Sequence, residues 1–318
     1  MRALITGGAG FIGSHLAERL LGLGWEVVIL DNLSTGSLGN IAGFRANAGL
    51  EFVEADVRDT RVVGGLVERS DVVFHLAAAV GVQLIADRPV HTIETNIHGT
   101  EVVLDCANRF KKKVLIASTS EVYGKSESIP FNEDDDIILG STALSRWSYA
   151  CSKAIDEFLG LAFHQQYGLE VIVARFFNTI GPRQSGRYGM VVPRFVASAL
   201  KGEAIEIYGT GDQTRCFSYV GDVVDAVISL VSCDEACGRV FNVGSTEEIS
   251  IVGLADKIIA MTGSSSTKVF LSYEKAYGKK IEDMMRRQPD IRRIKKVTGW
   301  EPVTSLERTL ETIIASLK

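Results

Sequence analysis

The stretch that most limits the fold of this chain lies at its start. Thr6-Gly7-Gly8-Ala9-Gly10-Phe11-Ile12-Gly13 follows a short apolar run, Ala3-Leu4-Ile5. It leads into a segment with Ile12, Leu16, Leu20 and Leu23 at helical spacing, which ends near Gly22 and Gly24. The apolar run suits a strand buried on both faces, and the periodic segment suits a helix. Glycines between them let the backbone come close to a bound group, and the helix N-terminus favours negative charge there. A second apolar run, Val27-Val28-Ile29-Leu30, ends at Asp31, 18 residues past Gly13. Strand, glycine turn, helix, strand and acid in this order predict a dinucleotide site, with the diphosphate on the helix and Asp31 on a ribose diol. A carboxylate at that place repels a 2′-phosphate, so NAD is expected over NADP. Each signal alone describes only a tight turn and a surface acid.

The same rhythm continues. Leu50–Glu54, Asp71–His75, Lys113–Ala117 and Glu170–Ala174 are further apolar runs, with helical stretches expected at 89–109 and 145–167. Strands alternating with helices predict an α/β fold, a Rossmann-type doubly wound parallel sheet. Ligands in such sheets sit beyond the carboxyl ends of the strands, so the residues that follow each run are site candidates.

Tyr149 and Lys153 are spaced as Y-x-x-x-K within the second of these helices. A free tyrosine has a pKa of about 10, too high for a base at neutral pH. A lysine four residues on projects from the same helical face, and its charge favours the phenolate. Tyr149 is therefore expected to take a proton from a substrate hydroxyl as hydride leaves the carbon, with Lys153 lowering its pKa and holding the cofactor ribose. Thr119, just past a strand, is placed to share the hydrogen bond to that hydroxyl.

Composition sets limits on alternatives. The 318 residues are 46% hydrophobic with a net charge of −5, which predicts a globular, soluble chain and no binding of nucleic acid through bulk charge. No apolar run reaches the roughly 18 residues of a membrane helix. The first strand begins at once, leaving no room for a signal peptide. Five cysteines at irregular spacing point to reduced thiols and a cytoplasmic location. Cys233 and Cys237 are near enough in sequence to pair or to share a metal, but no histidine or second cysteine pair has zinc spacing, so no metal is expected.

Thr6–Gly13, Asp31, Asp56-Val57, His75–Ala78, Asn96, Ser118–Gly124, Tyr149–Lys153 and Arg175–Pro182 together resemble the extended short-chain dehydrogenase/reductase family, the NAD-dependent nucleotide-sugar epimerases, dehydratases and decarboxylases. The likeness spans the chain, including Tyr208–Arg215 and Gly299-Trp300-Glu301-Pro302. It implies a sheet domain of residues 1–177 plus 219–247 and a smaller, discontinuous nucleotide-sugar domain of 178–218 plus 248–318. It implies NAD contacts from Gly7, Gly10, Phe11, Ile12, Gly13, Asp31, Asn32, Asp56, Val57, Leu76, Ala77, Ala78, Asn96, Ser118, Tyr149 and Lys153. Asn178, Arg183, Val192, Tyr208 and Arg215 are the implied contacts to a UDP-sugar.

Within the family, Thr119-Ser120-Glu121 followed by Val122-Tyr123-Gly124 is similar to the UDP-glucuronate decarboxylases. So are Arg146-Trp147-Ser148-Tyr149, Tyr277-Gly278-Lys279 and Arg287-Gln288-Pro289-Asp290, although Ile281 stands where some of them carry an aromatic residue. The resemblance implies catalysis by Thr119, Ser120, Glu121, Tyr149, Lys153 and Arg287. The alternative for Arg287 is a solvated basic face shared with Arg286, Arg292, Arg293, Lys295 and Lys296. A 4-epimerase is the second reading. Ser120 disfavours a 4,6-dehydratase, whose family pattern has an acid there. A non-catalytic dinucleotide sensor would not need Thr119, Tyr149 and Lys153 together. The family's dimers form through the helices at 89–109 and 145–167, and Ile97, Val102, Val103, Ile155, Phe158 and Leu159 are candidates for that face or for the core.

Overall fold

A computed structural model describes residues 1–81, 88–186, 190–277 and 284–318; Gly278, Lys279 and Ile281 lie outside the described residues. The apolar runs form parallel strands β1 (Arg2–Thr6), β2 (Glu26–Asp31), β3 (Leu50–Glu54), β4 (Val72–His75), β5 (Lys113–Thr119) and β6 (Val171–Phe176). A seventh, β7 (Arg239–Val243), pairs with β6 at the sheet edge. The order is β7-β6-β5-β4-β1-β2-β3, every pairing parallel. The chain reverses direction across the sheet between β1 and β4, where a crevice opens at the carboxyl edge.

Helices cover both faces. One face packs α1 (Phe11–Gly22) and, later in the chain, the helix Val220–Val231 over Ile5, Ile29, Phe74 and Leu115. The other packs α2 (Thr60–Glu68), α3 (Pro89–Phe110) and α4 (Arg146–Tyr167) over Leu4, Val28, Val73, Val114 and Ile116. In α1 the helical spacing places Leu16 and Leu20 in the core, and each such side chain contributes about 1.5–3 kcal/mol by burial. Leu23 departs from the expected face: the helix ends at Gly22, and Leu23 caps it 48% exposed. In α3 and α4, Val102 and Val103 are core, Ile97 and Leu159 are half-buried, and Ile155 and Phe158 face outward.

A separate core gathers Phe195 and Val196 from α5 (Val191–Lys201), Leu254 and Ile258 from the helix Ile251–Thr262, and Leu310, Ile313 and Ile314 from the helix Leu306–Leu317. It is joined to the sheet by a short parallel ladder, Thr179–Ile180 beside Ser218–Tyr219. Among the described residues no helix is long and apolar enough to cross a membrane.

Candidate active site

A cavity of about 1090 Å³ runs along the carboxyl edge of the sheet and under the second core. Its cofactor-side wall is the glycine turn. Gly13 has no room for a side chain: a Cβ there would lie 2.3 Å from the Gly7 carbonyl oxygen, so helix and turn pack only because it is glycine. Asp31 ends β2 and accepts hydrogen bonds from the N–H groups of Ala9 (2.9 Å) and Leu33 (2.8 Å). Burial raises its carboxyl above the usual range, and these two donors partly offset that.

Gly7, Gly10, Phe11, Ile12, Gly13, Asp31, Asn32, Val57, Leu76, Ala77, Ala78 and Ser118 all line the cavity. Asp56 and Asn96 are not in its lining. Asp56 is held by Arg58, which keeps its carboxyl well below the ordinary range, and it accepts from the Asn32 amide (3.1 Å). Through that bond it is tied to Asn32, which lines the cavity. Asn96 is buried; its Oδ1 accepts from Ala79 N–H (2.8 Å) and its amide donates to Ser152 Oγ (3.1 Å), bracing the loop after β4 against α4.

The centre of the cavity is built from the end of β5 and one face of α4. Thr119 ends β5, and its hydroxyl caps the following turn by accepting from Glu121 N–H (3.2 Å). Ser120, Glu121, Tyr149 and Lys153 line the same wall. Burial pushes the Tyr149 phenol above its usual pKa and the Glu121 charge adds to this, while a hydrogen bond with Thr119 works the other way. Lys153 also has an acidic partner of its own. Its ammonium lies 2.6 Å from Asp156 Oδ2, one turn further on, with both side chains buried. Lys153 therefore stands in the cavity wall as half of an ion pair and not as an isolated cation.

Glu121 sits between two guanidinium groups, Arg287 Nη1 at 2.6 Å and Arg146 Nη2 at 3.1 Å. All three line the cavity. Arg287 is 7% exposed, whereas Arg286 points outward to Glu248 (2.8 Å). The solvated basic face thus holds for Arg286 and not for Arg287.

Asn178, Arg183, Val192, Tyr208 and Arg215 line the remaining wall. Tyr208 lies under the Arg194 guanidinium, 4.3 Å from its ring centre. Arg183 reaches across to α1, pairing with Glu18. Sequence reasoning passed over Arg146 and Arg194 as site residues. The first stands one helical turn before Tyr149, a spacing that puts both on one face; the second has no comparable signal. Among the described residues no cluster of side chains could hold a metal ion.

The lining fits a dinucleotide in a specific way. At the glycine turn the backbone is bare where any Gly13 side chain would intrude, which leaves a group free to approach it. Thr95, Thr179 and Gln184 also belong to the lining, each with an enclosed side-chain oxygen that has no hydrogen-bond partner. Buried polar atoms of this kind are costly unless a bound group satisfies them.

Residues 4–313 match the family model described as GDP-mannose 4,6 dehydratase. A UDP-N-acetyl-alpha-D-glucosaminuronate decarboxylase of Bacillus cytotoxicus is 43% identical over 98% of this chain and 96% of its own length. UDP-glucuronic acid decarboxylase 1 of Xenopus tropicalis is 38% identical over 98% of this chain and 71% of its own. A crystal structure of a Bacillus cereus UDP-glucuronic acid 4-epimerase, with UDP-glucuronic acid and NAD, superposes with a TM-score of 0.90 at 29% identity, covering 100% of this chain and 99% of the other. Glycine turn, Asp31, Thr119 and the Tyr149–Lys153 pair thus stand in a chain that belongs to the extended short-chain dehydrogenase/reductase family, as an NAD-dependent enzyme acting on nucleotide sugars.

Proposed function

We propose that the protein is a decarboxylase of a UDP-hexuronate, and that Thr119, Ser120, Glu121, Tyr149, Lys153 and Arg287 do the chemistry. The observation that carries this reading is the Arg146–Glu121–Arg287 cluster in the cavity wall beside Thr119 and Tyr149. Two guanidinium groups there suit a substrate carboxylate and the negative charge that develops when it leaves.

NAD, when bound, accepts a hydride from C4 of the sugar and later returns it. Tyr149 takes the O4 proton, with Thr119 holding the same hydroxyl. The resulting C4 ketone is β to the C6 carboxylate. The C5–C6 bond breaks, carbon dioxide leaves, and the bonding pair moves into an enolate between C5 and C4. Arg287 stabilises the charge on that enolate, and Glu121 with Ser120 orients the proton donor for C5. Tyr149 finally gives its proton back to O4.

The UDP moiety lies against Asn178, Val192, Tyr208 and Arg215, with arginine suited to a diphosphate by its planar fork. The first relative above is named for a substrate with an N-acetyl group at C2 and the second for one without. The C2 substituent is therefore to be settled by assay. The second reading, a uronate 4-epimerase, is favoured by the Bacillus cereus neighbour. We also propose a homodimer through α3 and α4, where Val90 (66%), Ile155 (40%) and Phe158 (69%) are exposed. Five free cysteines suit a reducing, cytoplasmic setting.

The test is mass spectrometry of the products from UDP-glucuronate and from UDP-N-acetylglucosaminuronate with NAD. Loss of one carbon dioxide from either supports the decarboxylase and names its substrate. Unchanged mass with an inverted C4 centre supports the epimerase instead.

A further inference from the structure

The segment 179–184 belongs by sequence to the second core's side of the molecule, yet it is fastened to the cofactor's helix. Thr179 and Ile180 pair with Ser218 and Tyr219 on one side. From there the chain crosses to α1 at Gly181, where an added Cβ would strike Val220 at 2.5 Å and come within 3.4 Å of the Phe11 ring. No residue with a side chain could make that crossing without displacing one of them. The carbonyl of Pro182 then accepts a hydrogen bond from His15 Nε2 (2.9 Å), in the first turn and a half of α1.

Arg183 completes the fastening and carries the clearest signature. Its φ is +67°, a left-handed backbone that a non-glycine residue adopts only against a steric cost. That conformation sends its side chain over α1, where it pairs with Glu18 and donates to Ser14 Oγ (3.5 Å). The guanidinium also lies 5.8 Å from the ring centre of Phe44, in the turn Leu38–Phe44 that follows β2. One side chain thus joins three segments, and all three contribute residues to the cofactor end of the cavity. Thr179 and Gln184, on either side, line the same space.

We propose that residues 179–184 form a strap over the dinucleotide's place on α1, with the Arg183–Glu18 pair as its latch, so that NAD leaves only when the strap lifts. This moves Arg183 from the UDP-sugar, where the family resemblance puts it, to the cofactor. A latch suits chemistry in which hydride is taken and returned within one turnover, because the cofactor has no need to exchange. The inference depends on NAD alone and not on which sugar binds, so its failure would leave the decarboxylase reading untouched.

The experiment is a chase. Protein equilibrated with radiolabelled NAD is freed of excess by gel filtration and mixed with unlabelled NAD, and retained label is followed over time. Arg183→Ala, which removes both ion pair and ring contact, is expected to speed release about tenfold. Glu18→Gln keeps shape and folding but weakens the latch, and is expected to speed release about threefold. Faster release in both supports the strap. Faster release in Arg183→Ala alone would overturn the latch, since Arg183 would then act on NAD without Glu18. No change in either would overturn the strap altogether.

Discussion

His75 makes a pH dependence of stability that can be worked out from its surroundings. It ends β4, 1% exposed. The Thr6 hydroxyl accepts from Ala77 N–H (3.2 Å), leaving its own proton for His75 Nδ1 (2.8 Å). The Thr100 hydroxyl donates to the Asn96 carbonyl (2.9 Å), so it accepts from His75 Nε2 (3.0 Å). These partners satisfy one neutral tautomer, with the proton on Nε2. Protonation would put a second donor against Thr6 and bury a charge near Lys153. Burial first, and the Lys153 charge second, hold the imidazole at about 3, against 6.5 when exposed.

A basic group whose folded pKa is depressed binds its proton more readily unfolded, so stability falls as pH drops below 6.5 and levels off only near 3. Between pH 7 and pH 5 this one residue should cost about 2 kcal/mol. The comparison is with His75→Gln, which stays neutral throughout; whatever the substitution itself costs is the same at each pH, and the carboxylates titrate alike in both proteins. Urea unfolding at pH 7, 6 and 5, followed by tryptophan fluorescence, reads the difference. Wild type should lose about 2 kcal/mol more than the variant over that range. Parallel losses in the two proteins would refute the claim that His75 is neutral and shielded.

Tyr149→Phe should lower turnover about 10²–10⁴-fold while leaving bound NAD unchanged after gel filtration; a rate within tenfold of wild type would remove Tyr149 from proton transfer. Gly13→Ala forces a Cβ to within 2.3 Å of the Gly7 carbonyl and should cost about 1–3 kcal/mol, with weakened NAD binding seen by calorimetry. Glu157→Gln leaves the buried Arg175 without the carboxylate that accepts its Nη2–H at 2.6 Å, and should cost about 3–5 kcal/mol in urea unfolding. The double variant Glu157→Leu with Arg175→Met should be more stable than that single one, because it removes both charges together.

The sheet and its crevice were readable because each early strand is an unbroken apolar run, and the residues just past those runs are the ones that meet at the carboxyl edge. The seventh strand, Arg239–Val243, lies in the 219–247 segment that the resemblance assigns to the sheet domain, but as an apolar run it was not legible, because Asn242 interrupts it. A buried asparagine resembles a loop residue until its partners are known, and here Tyr123, Phe131, Glu133 and Asp290 satisfy it from distant parts of the chain. Charge partners were hidden for a similar reason. Asp156 lies three residues from Lys153, yet only the packing of α4 decides whether that acid faces the buried ammonium or the solvent. Arg286 and Arg287 show the limit most clearly. By charge alone these neighbours in a basic run are alike, and only the family resemblance singles out Arg287. One turns to Glu248 at the surface, the other to Glu121 in the cavity, and the difference is set by a loop whose partner, the turn after β5, lies far away along the chain. The place of Arg287 in the cavity wall therefore follows from where that loop is docked, by Phe131 N–H on the Gln288 carbonyl (2.8 Å) and Asp290 N–H on the Phe131 carbonyl (2.9 Å), and not from the arginine's place in the run.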